Sequence, residues 1–257
     1  MARGTALITG ASMGLGAELA RLFAADGHDL VLVARSLAKL EALATELSGA
    51  HGVSVRVEVR DLADAAAIAA LAADLADTPV EFLVNNAGFG TNGRFIELDP
   101  APELGQIAVN VAALADLTRR FLPAMVRRGS GRVLNIASTA GFQPGPFMAT
   151  YYATKAFVLS FSQALAVEVA GSGVTVTAHC PGPTATGFQA TAGMGKVRLG
   201  KGGADATACA RHAYRAMHGG RRVAIHGPLN AIMAWLARVS PMAMTLRVAA
   251  YLNRGPS

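Results

Sequence analysis

Short runs of Val, Ile, Leu and Ala alternate along the chain with longer stretches whose apolar residues recur every three to four positions. The first pattern suits strands buried on both faces, the second helices with one buried stripe. On this basis the sequence predicts strands over residues 6–9, 29–34, 53–58, 82–85, 132–136, 174–179 and 222–226. Helices are predicted over 14–26, 37–47, 64–75, 103–122, 151–170 and 205–217. Strand–helix alternation of this kind argues for an α/β fold, a doubly wound parallel sheet of about seven strands with helices on both faces. Ligands of such sheets bind beyond the carboxyl ends of the strands, so the residues that follow each strand are the candidate site residues. No linker-like run or internal repeat interrupts the pattern, and residues 1–257 are expected to form one domain.

Two segments stand apart from the alternation. Residues 187–203 hold six glycines and no apolar period. Following the sixth strand, on the ligand side, they are expected to form a lid over the substrate. The C-terminal segment, 227–257, carries apolar residues at helical spacing over 229–253, broken at Pro241 and interspersed with arginines. The main reading is a helix pair that packs on the core or on another subunit. The alternative is an amphipathic surface that meets lipid or a long-chain acyl substrate.

Composition narrows the class. Apolar residues make up 52% of the chain and charged residues only 16%, which supports a large core and excludes a disordered chain. Cys180 and Cys209 form neither a CxxC pair nor a metal-ligand spacing with the six histidines. No metal and no disulfide framework is expected, and a reducing cytoplasm is favoured. No unbroken apolar run reaches about 18 residues, so no transmembrane span is expected. The apolar start of the chain runs directly into a glycine-rich turn, which reads as a first strand rather than a signal peptide. The net charge of +6 is uneven: from Gly187 onward there are ten Lys/Arg and a single acid, Asp205. A solvated basic surface, an anionic substrate carrier or an anionic membrane surface would each account for this. Nucleic acid is disfavoured, because the basic residues lack interleaved aromatics.

The first predicted strand leads into Thr9-Gly10-Ala11-Ser12-Met13-Gly14-Leu15-Gly16 and then a helix. Glycines allow a tight turn and close backbone approach to a pyrophosphate, while the helix start offers free N–H donors. The glycine spacing alone is weak evidence; its position between strand one and helix one strengthens it. A carboxylate at the end of strand two would hold the 2′-hydroxyl of NAD. That position reads Ala34-Arg35-Ser36 instead. Arg35, with its forked donors and fixed charge, suits a 2′-phosphate and favours NADP over NAD.

Tyr151 and Lys155 lie four apart on a predicted helix and share a face. A tyrosine with a pKa near 10 needs help to act as an acid or base near neutrality, and a nearby ammonium lowers its pKa. Tyr152 is three residues from Lys155, so spacing alone does not choose between the two tyrosines.

The chain resembles the short-chain dehydrogenase/reductase family, in its compact branch of about 250 residues. The matching pieces are the Thr9–Gly16 turn, Asp61-Leu62, Asn85-Asn86-Ala87-Gly88, Asn110, Asn135-Ile136-Ala137-Ser138, Tyr151-x-x-x-Lys155 and Pro181-Gly182, in the family's order. The resemblance implies a Rossmann-type fold, a nicotinamide cofactor and a catalytic tetrad of Asn110, Ser138, Tyr151 and Lys155. The family's serine-to-tyrosine separation selects Tyr151 as the acid/base. Ser138 would bond the substrate oxygen, Lys155 would hold the cofactor ribose, and Asn110 would anchor a water in a proton relay to Lys155. By the same resemblance Gly10, Ser12, Met13, Gly14, Leu15 and Gly16 cradle the cofactor phosphates, and Asp61 and Leu62 border its adenine. Asn86, Ala87 and Gly88 line the cofactor crevice; Pro181, Gly182, Thr184 and Thr186 lie near the nicotinamide. Met13 departs from the basic residue that NADP-preferring members often carry there, so phosphate recognition falls to Arg35 with Ser12, Ser36 and Lys39.

The expected substrate side is apolar: Phe142, Phe147, Tyr152 and Phe188, with Phe89, Phe95, Met148 and Met194 nearby. A small apolar ketone, aldehyde, steroid-like or 3-oxoacyl compound fits this better than a sugar, and the basic C-terminal third would suit a carrier-linked form. The resemblance also implies a homodimer or homotetramer. The competing function is a non-catalytic NADP(H)-binding regulatory protein of the same fold.

Overall fold

A computed structural model describes residues 4–184 and 203–254. Its sheet consists of β1 (Thr5–Thr9), β2 (Asp29–Ala34), β3 (Val55–Val59), β4 (Val80–Asn85), β5 (Gly131–Ile136), β6 (Val174–Cys180) and β7 (Val223–Ile225). All neighbours pair in parallel, in the order β3-β2-β1-β4-β5-β6-β7. The helices are α1 (Gly14–Ala25), α2 (Leu37–His51), α3 (Ala65–Asp74), α4 (Pro100–Ile107), α5 (Leu114–Arg128), α6 (Ala149–Glu168), α7 (Ala206–His218), α8 (Pro228–Val239) and α9 (Met242–Asn253).

The unbroken apolar runs have the expected cause. Successive side chains of a strand point to opposite faces, and here both faces are covered. Ala6, Ile8, Leu30, Leu32, Phe82, Val84, Leu134 and Ile136 pack with α1, α2 and α7. Leu7, Val31, Val33, Leu83 and Val133 point the other way, into the layer of α3 and α5. After β3 the chain crosses to the far side of β1, so β1 pairs with both β2 and β4. The loops leaving β1 and β4 diverge there and open a crevice at the carboxyl edge.

The single helix expected over 103–122 is three pieces. Asp99 caps α4 by accepting from the Ala101 N–H at 3.0 Å, with Pro100 in the first turn. A π-helical turn, Ala108–Ala113, then joins α4 to α5. The wider turn brings Asn110 into the interior, where it bonds a neighbouring loop. A single π-turn is too short to set a period of its own, so the sequence does not reveal it.

The C-terminal pair breaks at Ser240-Pro241, as the sequence suggests. Its packing on the core is one-sided. Thr245, Ala249 and Asn253 of α9 are buried, while Leu229, Ile232, Trp235 and Val239 of α8 are exposed. Among the described residues no helix is long and apolar enough to cross a membrane.

One buried group makes stability pH-dependent. His179, at the end of β6, lies near the rings of His212 and His226, and its Nε2 is 3.4 Å from Cys209 Sγ. Burial pushes its imidazole down to about 3, with His212 and His226 adding to the effect. An unfolded histidine takes up its proton near pH 6.5, so below that pH the unfolded chain binds a proton that the folded chain refuses. The contribution of neutral His179 is complete above pH 6.5 and is lost as pH falls from 6.5 towards 3. One such proton is worth about 1.4 kcal/mol per pH unit. Between pH 7.5 and 5.5 this residue should lower Tm by about 3–5 °C. His179→Gln should remove that increment in thermal melts; an unchanged pH dependence would place it elsewhere.

Candidate active site

The crevice between the β1 and β4 loops is a cleft of about 600 Å³. Gly10, Ser12, Met13, Gly14 and Leu15 line one wall. Gly10 and Gly14 have φ of 65° and 56°, a conformation that favours glycine. The loop is fixed from behind by Thr9, whose Oγ1 accepts from the Asn86 and Ala87 N–H groups, both at 3.0 Å. Asn86 returns the contact, its Nδ2 donating to Thr9 O at 2.9 Å.

Gly16 does not line the cleft; it lets α1 close on this loop. A Cβ there would stand 2.3 Å from Gly10 O. Gly16→Ala is therefore expected to cost about 2–3 kcal/mol and lower Tm by roughly 5–10 °C. It should also abolish dinucleotide binding in a titration followed by fluorescence, whereas an unshifted Tm would mean that the contact relaxes freely. No side chain caps the start of α1, and its first turn holds no acid. Its free N–H groups and dipole are open to an anion, which fits a pyrophosphate.

At the far end of the cleft Ala34, Arg35, Ser36 and Lys39 face Arg60, Asp61, Leu62 and Ala63. Asp61 is turned to its own loop, accepting from the Ala63 N–H at 2.9 Å. Arg60 is held by Glu58 and Asp74. Among the described residues Arg35 and Lys39 take part in none of the ion pairs, and both are exposed. They are the cations free to meet a phosphate at this end.

The residues expected to react sit at the opposite end. Ser138 follows β5; Tyr151 and Lys155 are one turn apart on α6; all three line the same cleft. The Tyr151 phenol is hydrogen-bonded to Ser138. Ser138 Oγ also accepts from the Ala140 N–H at 3.1 Å, which fixes its direction. Lys155 Nζ donates to Ile136 O at 2.8 Å and lies 5.8 Å from the centre of the Tyr151 ring. Burial raises the phenol above its usual pKa of 10, and the Ser138 bond opposes this only in part. That corrects the expectation of a phenol lowered by Lys155. The ammonium is directed at the Ile136 carbonyl, and desolvation of the tyrosine dominates. Burial also lowers Lys155, to about 8.

Asn110 stands behind Gly88 rather than in the cleft wall. Its Nδ2 donates to Phe89 O at 2.9 Å and to Thr154 Oγ1 at 3.1 Å, and its Oδ1 accepts from the Phe89 N–H at 3.1 Å. Its amide thus ties the loop after β4 to α6, the helix that carries Tyr151 and Lys155. Leu62, Asn86, Ala87, Gly88, Pro181, Gly182, Thr184 and Tyr152 all line the cleft. Phe142 and Phe147 do not. Phe142 lines a second cavity, and Phe147 stacks under the Arg254 guanidinium, 5.3 Å from its ring centre. Both lie on the stretch between β5 and α6, which turns its aromatics away from the cleft. Phe95 is exposed to solvent. The apolar wall comes instead from Phe89, Val109 and Met148. Thr186, Phe188 and Met194 lie outside the described residues, as do residues 187–202 of the expected lid. The chain on either side meets at the cleft rim, where Thr184 pairs with Ala204 and the Ala204 N–H donates to Pro183 O at 2.9 Å.

Thr9, Thr154, the Ile136 carbonyl and Asn253 carry structural duties around the site that sequence reasoning did not find. Thr9 alone had a signal, its place just before the first glycine.

A family model described as short chain dehydrogenase matches residues 4–196. Ketoacyl reductase HetN of Nostoc sp. is 37% identical over 180 residues, 69% of this chain. The match spans 62% of that relative, less than two thirds of its length. Galactitol 2-dehydrogenase (L-tagatose-forming) of Cereibacter sphaeroides is 41% identical over 184 residues, 70% of this chain and 71% of the relative. Among solved structures, a short-chain dehydrogenase from Sphingobium yanoikuyae in complex with NADPH superposes with a TM-score of 0.82 at 35% identity. It covers 93% of this chain and 97% of that one.

Proposed function

The chain belongs to the short-chain dehydrogenase family, and from that premise we propose that it reduces an apolar carbonyl compound with NADPH, Tyr151 giving the proton. The observation that carries this reading is the opening of Ser138, Tyr151 and Lys155 onto the same cleft as the uncapped start of α1. A dinucleotide with its pyrophosphate at α1 would lie along that cleft, and the NADPH-bound relative supports this choice of cofactor.

Arg35, Lys39 and Ser36 would meet the 2′-phosphate, the loop from Gly10 to Leu15 the pyrophosphate, and Lys155 the nicotinamide ribose. When bound, the cofactor supplies a hydride for the carbonyl carbon. The chain's own residues supply the rest. Ser138 hydrogen-bonds the carbonyl oxygen and stabilises the charge that develops on it. Tyr151 Oη transfers its proton to that oxygen as the C–O double bond becomes single, leaving a phenolate beside Lys155. With its pKa raised, Tyr151 is protonated at neutral pH, the state that proton donation requires.

The two named relatives suggest different substrates, a ketoacyl compound and a polyol. Phe89, Val109 and Met148 offer no donor or acceptor side chain for a polyol, so an apolar ketone, steroid-like or 3-oxoacyl substrate is preferred. The test is NADPH oxidation against a panel of alkyl ketones, 3-oxoacyl thioesters, steroids and sugars. Turnover of the apolar members supports the reading; turnover of sugars alone contradicts it.

In the same reading the outward stripe of α8 and α9 covers another copy of the chain, in a homodimer or homotetramer. Leu229, Ile232, Trp235, Met244 and Tyr251 are all more than half exposed, a stripe that a monomer would leave in water. Light scattering should give a dimer or tetramer that Trp235→Glu dissociates. A monomeric wild type that sediments with anionic vesicles would instead favour the lipid contact. Two free cysteines, both buried, are in keeping with a cytoplasmic protein.

A further inference from the structure

The geometry points to Tyr152 as a partition, latched by Asn253 of the C-terminal helix, that sets how long an apolar substrate tail the cleft accepts. The inference rests on the carbonyl-reductase reading above.

Tyr152 is the neighbour of Tyr151, and the two rings meet edge to face at 6.2 Å. It lines the catalytic cleft and also a second cavity of about 570 Å³, and among the described residues it is the one common to both. That cavity is walled by Phe142, Pro144, Pro146, Ala149 and Leu246 of α9, with scarcely a polar side chain. An aliphatic tail would be at home there, but the ring of Tyr152 stands between it and the reactive groups.

The ring is locked from two sides. On one it lies flat against Gly145, where a Cβ would come within 2.3 Å of the ring. On the other, Tyr152 Oη donates to Asn253 Oδ1 at 3.2 Å. Asn253 is itself fully buried and fixed: its Nδ2 donates to Pro146 O at 3.1 Å, and its backbone oxygen accepts from Asn92 Nδ2 at 2.9 Å. One residue at the end of α9 therefore binds the loop after β4, the loop before α6 and the partition between two cavities. A backbone bond between those loops, Gly93 N–H to Phe147 O at 2.9 Å, closes the arrangement. A buried amide bonded at both its oxygen and its nitrogen holds one rotamer, so the wall stays rigid.

The test measures dissociation constants by calorimetry for 2-alkanones of increasing length, in the presence of NADP+, with kcat/KM of reduction as a second readout. In the wild type, affinity should rise with each methylene and then level off where the tail meets Tyr152. In Tyr152→Ala it should continue to rise by roughly fourfold per added methylene. Asn253→Ala should shift the plateau part of the way by freeing the ring. Tyr152→Leu serves if the alanine variant fails to fold. A plateau at the same length in a folded Tyr152 variant that still binds and reduces short ketones overturns the partition alone. Failure of the wild type to bind or reduce any ketone overturns the carbonyl-reductase reading and the partition with it.

Discussion

Tyr151→Phe is expected to lower kcat/KM for carbonyl reduction by about 10²–10⁴-fold, the usual contribution of a positioned general acid. The NADPH dissociation constant should stay within about twofold. The variant keeps the ring and its edge contact with Tyr152 and removes only the hydroxyl. The bond lost with Ser138 is worth about 1–2 kcal/mol, and Ser138 Oγ keeps its contact with the Ala140 N–H. A loss of turnover therefore cannot be laid to a collapsed site if Tm and cofactor affinity are preserved. The same experiment separates an enzyme from a non-catalytic NADP(H)-binding protein of the same fold. In the latter, the substitution would change nothing that depends on proton transfer. Because the phenol is raised and Lys155 titrates only near 8, reduction should be nearly flat from about pH 6 to 7. The reverse oxidation, which needs the phenolate, should climb with pH over the same interval.

Arg35→Ala should raise KM for NADPH by roughly 10–150-fold, about 1.5–3 kcal/mol, and leave KM for NADH nearly unchanged. The lower end of that range reflects exposure, since a solvated cation–phosphate contact is screened. The effect should shrink as salt is added. Arg60, though nearby, is held by Glu58 and Asp74, and Asp61 is turned into its own loop. Lys39 is then the remaining cation, and Arg35→Ala with Lys39→Ala should erase the preference for NADPH. A preference that survives both changes would mean the 2′-phosphate is read elsewhere. Met13 is in keeping with this assignment, because it leaves the glycine loop without a cation of its own.

The parts of this molecule legible in the sequence are those whose cause is local. Buried strands read as apolar runs, and their ends fall within two residues of the expected positions. The glycines at 10, 14 and 16 announce a turn that only they can make. Arg35 is visible because it follows a strand. Asn110, Ser138, Tyr151 and Lys155 were chosen together only through their family order, since each alone is an ordinary residue.

What escaped notice depends on contacts far apart in the chain. The π-turn at Ala108–Ala113 is stabilised by Asn110 reaching Phe89, which no periodicity records. The raised pKa of Tyr151 follows from burial, which the Ser138 bond only partly opposes, and not from its spacing to Lys155. Sequence position points Phe142 and Phe147 at the substrate, because aromatics near a site commonly line it. The stretch between β5 and α6 turns one into the second cavity and the other under Arg254. Asn253, a hundred residues from Tyr152, carried no signal at all.

In the proposed reaction hydride moves between a nicotinamide and an apolar carbonyl carbon in this cleft while Tyr151 supplies the proton. The most direct measurement uses NADPH deuterated at C4 on each face in turn, an apolar ketone that supports turnover, and mass spectrometry of the product alcohol. One deuterium is expected on the carbinol carbon from one face of the cofactor only, and no labelled alcohol above background with Tyr151→Phe. NADPH consumption without deuterium in the alcohol, or equal labelling by wild type and Tyr151→Phe, would contradict it.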